Sequence, residues 1–227
     1  SFRGTSLAVA DLDLDGRQDI AVVTPSALTV NGVTSSSTQL GRNVDPVATH
    51  AHFEALTSVL PTSQVTLRGD IVLLGDVTGD PLADLVVVSR SASSGSRAVE
   101  ILENRGLSST WTRRTTTLLP AVSGDEAWQA HAATLADGDG GGDLDLVAVT
   151  HAPTGGGRAL RLLRNGGAAG FAADLTSLLP DPADGDALDG TSIAVGELRD
   201  GELGLLIGRS APAGGAAGAR VVRRATR

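Results

Sequence analysis

The chain has no cysteine, methionine, tyrosine or lysine, and its aromatic share is only 2%. The missing cysteine rules out a disulfide framework and thiolate metal sites. A lyase that uses Tyr or Lys as its base is excluded by composition. All 18 basic residues are Arg, and the accompanying surplus of Ala, Gly, Val and Leu points to a GC-rich genome rather than to chemistry. No run approaches the roughly 18 apolar residues of a membrane span. The chain starts at Ser1 with no secretory apolar stretch to read, so export is inferred only indirectly. A net charge of -8 argues against nucleic acid as a partner.

With 227 residues, 41% of them hydrophobic, the chain is long enough for a sizeable core. That core must come from Val, Leu, Ile and Ala, which suit short pleated strands. No segment sustains helical periodicity.

Internal repetition is the main positive signal. SLAVADLDLDGRQDIAVVT from Ser6, DIVLLGDVTGDPLADLVVVS from Asp70, AHAATLADGDGGGDLDLVAVT from Ala130 and SIAVGELRDGELGLLIGRS from Ser192 align with one another. Their leading acids Asp11, Asp76, Asp137 and Glu197 recur at intervals of about 60 residues, a period typical of repeat arrays. A third apolar segment ending in Asn follows each of the first three loops: Ala27–Asn31, Val99–Asn104 and Leu160–Asn165. Gly32, Gly106 and Gly166 come next, and then an aromatic and a run closing on Leu-Pro: Phe53 to Pro61, Trp111 to Pro120, and Phe171 to Pro180. Unit one carries extra residues, Thr34 to His52. The units are expected at about 5–61, 68–120, 130–180 and 190–227, within one domain spanning 1–227.

Four short strands per unit, repeated in phase, predict an all-β protein. The expected fold is a β-propeller of about four four-stranded blades, forming a complete small ring or part of a larger or dimeric one. A stack or sandwich of the same hairpins is the rival. Unit four stops after its third strand, and the isolated Phe2 marks where a ring-closing strand would lie.

The loops carry the chemistry. Unit one places Asp11, Asp13, Asp15 and Asp19 at loop positions 1, 3, 5 and 9, with Gly16 at position 6 and the Arg17 carbonyl at position 7. Oxygen ligands converging in a tightly curled loop suit Ca²⁺, and soft metals lack their Cys or His. Unit two offers Asp76, Thr78, Asp80 and Asp84, but has Pro81 where Gly is expected, so its turn should differ locally. Unit three offers Asp137, Asp139 and Asp145; with Gly141 at position 5, Asp143 at position 7 would compensate. Unit four, with Glu197, Arg199, Gly201 and Leu205, should hold no ion. Three Ca²⁺ sites are therefore expected, in units one to three. Any single loop also reads as an Asp-Gly hairpin turn closed by Asx hydrogen bonds. Much of the chain's acidity is concentrated in these three loops, so it is local to them and not a long-range field for steering a cationic partner.

DLDLDGRQDIAVV, GDVTGDPLADLVVV and ADGDGGGDLDLVAV resemble the FG-GAP/VCBS repeats of integrin α-subunit-like propellers. The resemblance covers almost the whole chain. It implies Ca²⁺ loops between the first two strands of each blade, and an exported or surface protein that binds proteins or glycans.

Other motifs read more plainly. His50-Ala51-His52 and His131 lack an acidic third ligand for a metal. Arg68-Gly69-Asp70 leads straight into an apolar strand and reads as a strand-entry turn. Arg113-Arg114 and Arg223-Arg224 are too few for nucleic-acid binding. No nucleophile elbow stands out, and nothing pairs Glu54, Glu100, Glu103, Asp125, Glu126 and Asp174 as glycosidase chemistry requires.

The expectation is a non-enzymatic binding or adhesion module for protein or carbohydrate ligands, secreted, periplasmic or on the cell surface. Its partners do not include nucleic acid or a membrane core. A homo-oligomer, or ring completion by another chain, is compatible with the unit count. The alternatives are a carbohydrate-active hydrolase or lyase, or its accessory domain, and an architectural segment of a larger surface protein.

Overall fold

A computed structural model describes residues 4–24, 28–30, 33–35, 38–45, 52–56, 58–61, 69–89, 99–115, 130–138, 140–151, 158–174, 192–197, 203–209 and 218–223. The architecture is all-β and every strand pairing is antiparallel.

Unit one contains β1 (Ser6–Ala10), β2 (Asp19–Val23), β3 (Leu28–Val30), β4 (Val33–Ser35), β5 (Thr38–Asn43) and β6 (Phe53–Ala55). Its sheet runs β1-β2-β5-β6, and β3 and β4 form a separate two-stranded hairpin. Unit two contains β7 (Ile71–Gly75), β8 (Asp84–Val88), β9 (Val99–Glu103) and β10 (Thr112–Arg113). Unit three contains β11 (Ala130–Ala136), β12 (Asp145–His151), β13 (Arg158–Asn165) and β14 (Phe171–Asp174). Among the described residues, unit four contributes three strands, β15 (Ser192–Glu197), β16 (Leu203–Arg209) and β17 (Gly218–Arg223).

The third strand of unit one is not the expected Ala27–Asn31. β2 pairs with β5, Ile20 opposite Gly41, as β8 pairs with β9, Leu85 opposite Leu102. Asn43 is therefore the equivalent of Asn104 and Asn165. The expected segment instead supplies β3 of the inserted hairpin, in which Val30 faces Val33. Asn-Gly between two short apolar runs is a hairpin signal in its own right, whereas Thr38–Asn43 (TQLGRN) is polar, contains Gly and is weak by strand propensity. The fourth strands start at or next to the aromatics, and those of units one and two end before Leu-Pro, at Ala55 and Arg113; that of unit three is described to Asp174, and Leu119-Pro120 and Leu179-Pro180 lie outside the described residues.

Strand alternation explains how the sheets stack. In β8, Leu85 and Val87 face sheet one and pack with Ala21, Leu40 and Trp111. Val86 and Val88 face the other way and pack with Leu146, Ala148 and Phe171 of sheet three. In β12, Val147 and Val149 likewise pack towards Leu205 of sheet four. Each buried Val, Leu or Phe side chain among these contributes about 1.5–3 kcal/mol. A period-2 strand buried on both faces reads as a continuous apolar run, which is how DLVVV reads.

The first strands neighbour one another in sequence order, β1 with β7, β7 with β11, and β11 with β15. Among the described residues the outermost strands keep apolar side chains exposed: Leu7 and Val9 of β1 are 59% and 50% exposed, and Leu206 of β16 is 45% exposed.

A repeated side-chain latch ties successive sheets together. Asn104 Nδ2 donates to Ala83 O in its own unit (3.1 Å) and to Leu12 O in the loop of unit one (2.8 Å). Asn165 Nδ2 donates to Leu144 O and, in the loop of unit two, to Val77 O, both at 3.1 Å. Both asparagines are buried. The two latch bonds from Nδ2 that Asn104→Ala removes are expected to cost about 2 kcal/mol, at about 1 kcal/mol each. For a chain of this size that is a melting-temperature drop of about 4–8 °C. A drop below 2 °C by differential scanning calorimetry would remove the latch as a stabilising element.

Candidate metal centre

The three Asp loops share one backbone path. Positions 4 and 6 both lie in the left-handed region: Leu14 (φ 59°) and Gly16 (84°), Gly79 (83°) and Pro81 (41°), Gly140 (78°) and Gly142 (93°). The local departure expected in unit two is therefore not seen. The turn is kept with its strain concentrated at Pro81, far from the proline-preferred φ of about −65°.

The position-1 aspartates cap this turn. Asp11 accepts from Asp15 N (3.1 Å) and Gly16 N (2.8 Å). Asp76 accepts from Thr78 N, Gly79 N and Asp80 N at 3.2, 2.6 and 3.2 Å. Asp137 accepts from Gly140 N, Gly141 N and Gly142 N at 2.6, 3.0 and 3.0 Å. Position 5 repeats the pattern two residues on, with Asp15 accepting from Arg17 N and Asp80 from Leu82 N.

Position 9 has a different task from the one its spacing suggests. Asp19, Asp84 and Asp145 are fully buried, and each spans two backbone amides. One oxygen accepts from the loop's position-2 N–H: Leu12 (2.9 Å), Val77 (2.9 Å) and Gly138 (2.8 Å). The other accepts from the N–H of the strand-end asparagine: Asn43 (2.7 Å), Asn104 (2.8 Å) and Asn165 (2.7 Å). These carboxylates pin each loop to the third strand of its own sheet. Burial raises the Asp19 carboxyl despite the bonds from Asn43 and Leu12. It raises that of Asp84 to about 6, outweighing the bonds from Asn104, Val77 and Thr78.

Only unit one, among the described residues, brings three candidate ligands together. Carboxylate oxygens of Asp11, Asp13 and Asp15 lie within 4.8 Å of one another, and Asp19 is not in the group. Asp13 Oδ1 is buried with no hydrogen-bond partner. An orphaned carboxylate oxygen beside two others fits a hard divalent cation, which supplies the missing partner and the missing charge. The Arg17 side chain pairs with Asp15 and donates from Nε to Asn43 O (2.9 Å). Desolvation works to raise the Asp15 carboxyl, but the Arg17 amide and the charges of Arg17 and Arg42 hold it below its ordinary value.

In unit two Thr78 Oγ1 donates to Asp84 (3.0 Å), so the hydroxyl is turned onto the pinning carboxylate. Asp76, Asp80 and Asp84 do not gather as the unit-one trio does. In unit three Asp139 lies outside the described residues, and Asp143 is exposed. In unit four Glu197 ends β15, while Arg199 and Gly201 lie outside the described residues.

Other flagged residues have structural roles where they are described. Asp70 N donates to Val88 O and Gly69 N to Thr24 O, as befits a strand entry. Arg113 pairs with buried Glu100, and Arg114 with Glu103. His50 lies outside the described residues, and nothing is described of the His131 side chain. Sequence reading missed Arg42 and the role of the asparagines. The available signal was the fixed separation of 20 residues from Asp84 to Asn104 and from Asp145 to Asn165.

The FG-GAP repeat family model matches residues 3–38, which hold β1, the first Asp loop, β2 and the inserted hairpin. The resemblance seen in the loops thus stands for unit one, and the shared loop geometry of units two and three is consistent with the same repeat. No curated protein matches the chain. Among the described residues, no helix is long and apolar enough to cross a membrane.

Proposed function

We propose that the chain is a calcium-stabilised β-propeller assembly of blades, acting outside the cell as a non-enzymatic binding or adhesion module for protein or glycan ligands. The observation that carries the calcium reading is the unit-one trio with its orphaned Asp13 oxygen, inside the segment matched as an FG-GAP repeat. The stacked sheets and the row of neighbouring first strands support a propeller. Few-carboxylate oxygen sites of extracellular modules bind Ca²⁺ at about 10⁻⁴–10⁻³ M, which favours a secreted, periplasmic or cell-surface location where such concentrations occur. In this reading the ion is structural, and ligands meet the rim away from the Asp loops. The exposed Leu7 and Val9 at one end of the row, and Leu206 at the other, mark where further blades would complete the ring.

The test is a glycan and protein-ligand array probed in Ca²⁺ and in EGTA, run beside a hydrolase and lyase screen. Calcium-dependent retention on one ligand class without turnover is the expected result. Turnover that disappears in Glu100→Gln or Glu54→Gln would overturn the non-enzymatic reading.

A further inference from the structure

The acidic trio already has a counter-ion drawn from the chain itself. Arg42 Nη2 lies 2.7 Å from Asp13 Oδ2 and 3.2 Å from Asp15 Oδ2. The two arginines at this site are held differently. Arg17 is anchored through Nε to the carbonyl of Asn43. Arg42 has no such anchor, and its Nε is buried without a partner. Its guanidinium therefore sits on the trio with part of its hydrogen-bonding capacity unused, an unfavourable state for a buried donor.

Arg42 also has somewhere else to go. In the β5–β6 pair it stands directly opposite Glu54, and side chains so placed share a face with Cβ atoms about 5 Å apart. Glu54 is exposed and, among the described residues, has no ion-pair partner. A divalent ion entering between Asp11, Asp13 and Asp15 would repel a guanidinium at contact distance from two of those carboxylates.

We propose that Arg42 is a two-position switch that sets the affinity of the unit-one cation site. With no divalent ion bound, it neutralises Asp13 and Asp15. When the ion enters, it swings across the strand pair to Glu54. The inference rests on the calcium reading of the trio. Tethered to β5, it makes the site respond to a change in calcium concentration rather than hold the ion at all times, because the ion must displace a cation already in place.

The test is calorimetric titration of the whole chain with CaCl₂, with melting temperatures measured in EGTA and in Ca²⁺. Arg42→Gln should tighten calcium binding about tenfold while leaving the melting temperature in EGTA unchanged or lower. Glu54→Gln should weaken binding about threefold, because the displaced guanidinium loses its alternative partner. If the wild-type chain shows neither heat nor a calcium-dependent melting shift, the calcium reading itself falls. If it binds calcium but Arg42→Gln binds no tighter, the switch is overturned and the calcium reading stands. Should Arg42→Gln fail to give a β-type circular dichroism spectrum, an unchanged affinity in Glu54→Gln overturns the switch on its own.

Discussion

Replacing Asp84 with Ala is expected to lower the melting temperature by about 10 °C, more than the loss of any exposed loop aspartate. The carboxylate is fully buried and is the acceptor for Val77 N, Thr78 N, Thr78 Oγ1 and Asn104 N. Alanine leaves Val77 N, Thr78 Oγ1 and Asn104 N buried without this acceptor, while Thr78 N keeps Asp76. Each unsatisfied buried donor costs about 1–3 kcal/mol. The loss is partly offset because burial already disfavours the ionised carboxyl, raising its pKa to about 6. A net cost of about 4 kcal/mol, at 2–4 °C per kcal/mol for a chain of this size, gives the expected shift. Asp80→Ala is the control, since its carboxylate accepts from one amide, Leu82 N at 3.1 Å; it should change melting in EGTA by less than about 2 °C. Asp84→Asn should fall between the two, since its amide can replace only part of the acceptor set. Equal losses for Asp80→Ala and Asp84→Ala would show that position 9 carries no special structural role.

The same construction recurs at Asp19 and Asp145, and that recurrence explains the form of the repeat. A loop with left-handed residues at positions 4 and 6 pays backbone strain, and the position-1 and position-9 carboxylates offset it by satisfying the amides the loop turns inward. The asparagine at the end of the third strand then joins that loop to the loop before it. Loop, sheet and inter-sheet contact are thus one hydrogen-bonded unit, and the loops that gather ligand oxygens are also where successive sheets are fastened.

Much of this was legible in the sequence, for identifiable reasons. The β8 and β12 runs announced themselves through continuous Val and Leu, because strands buried on both faces carry no polar alternation. The turn glycines announced the loops. β5 was hidden because its pairing to β2 is fixed by tertiary contacts rather than by propensity, and because Asn31-Gly32 offered a stronger local signal that belongs to a different hairpin. The trio of Asp11, Asp13 and Asp15 was readable from alternate spacing alone. The placing of Asp19 was not, since spacing does not distinguish a carboxylate aimed at an ion from one aimed at two amides. Arg42 was invisible for the same reason as Asn104: its partner lies in a loop distant in sequence, Asp15 being 27 residues away.

Calcium should raise the melting temperature of the wild-type chain by about 5–10 °C over EGTA. An ion present at a hundred times its dissociation constant stabilises the native state by about 2.7 kcal/mol through mass action, which the same scaling converts to that range. The dependence should map to unit one. Asp13→Ala removes the carboxylate whose Oδ1 is orphaned, and it should abolish most of the calcium shift while moving the EGTA melting temperature only slightly, because it pairs with the part-exposed Arg42. Asp76→Ala removes three amide bonds from the second loop and should do the reverse, lowering melting in EGTA and leaving most of the calcium shift in place. Identical melting in Ca²⁺ and EGTA for the wild type would reduce the trio to a turn held by arginines. A calcium shift lost equally in Asp13→Ala and Asp76→Ala would instead place ions in both loops, with the Thr78 hydroxyl released from Asp84 to join the second.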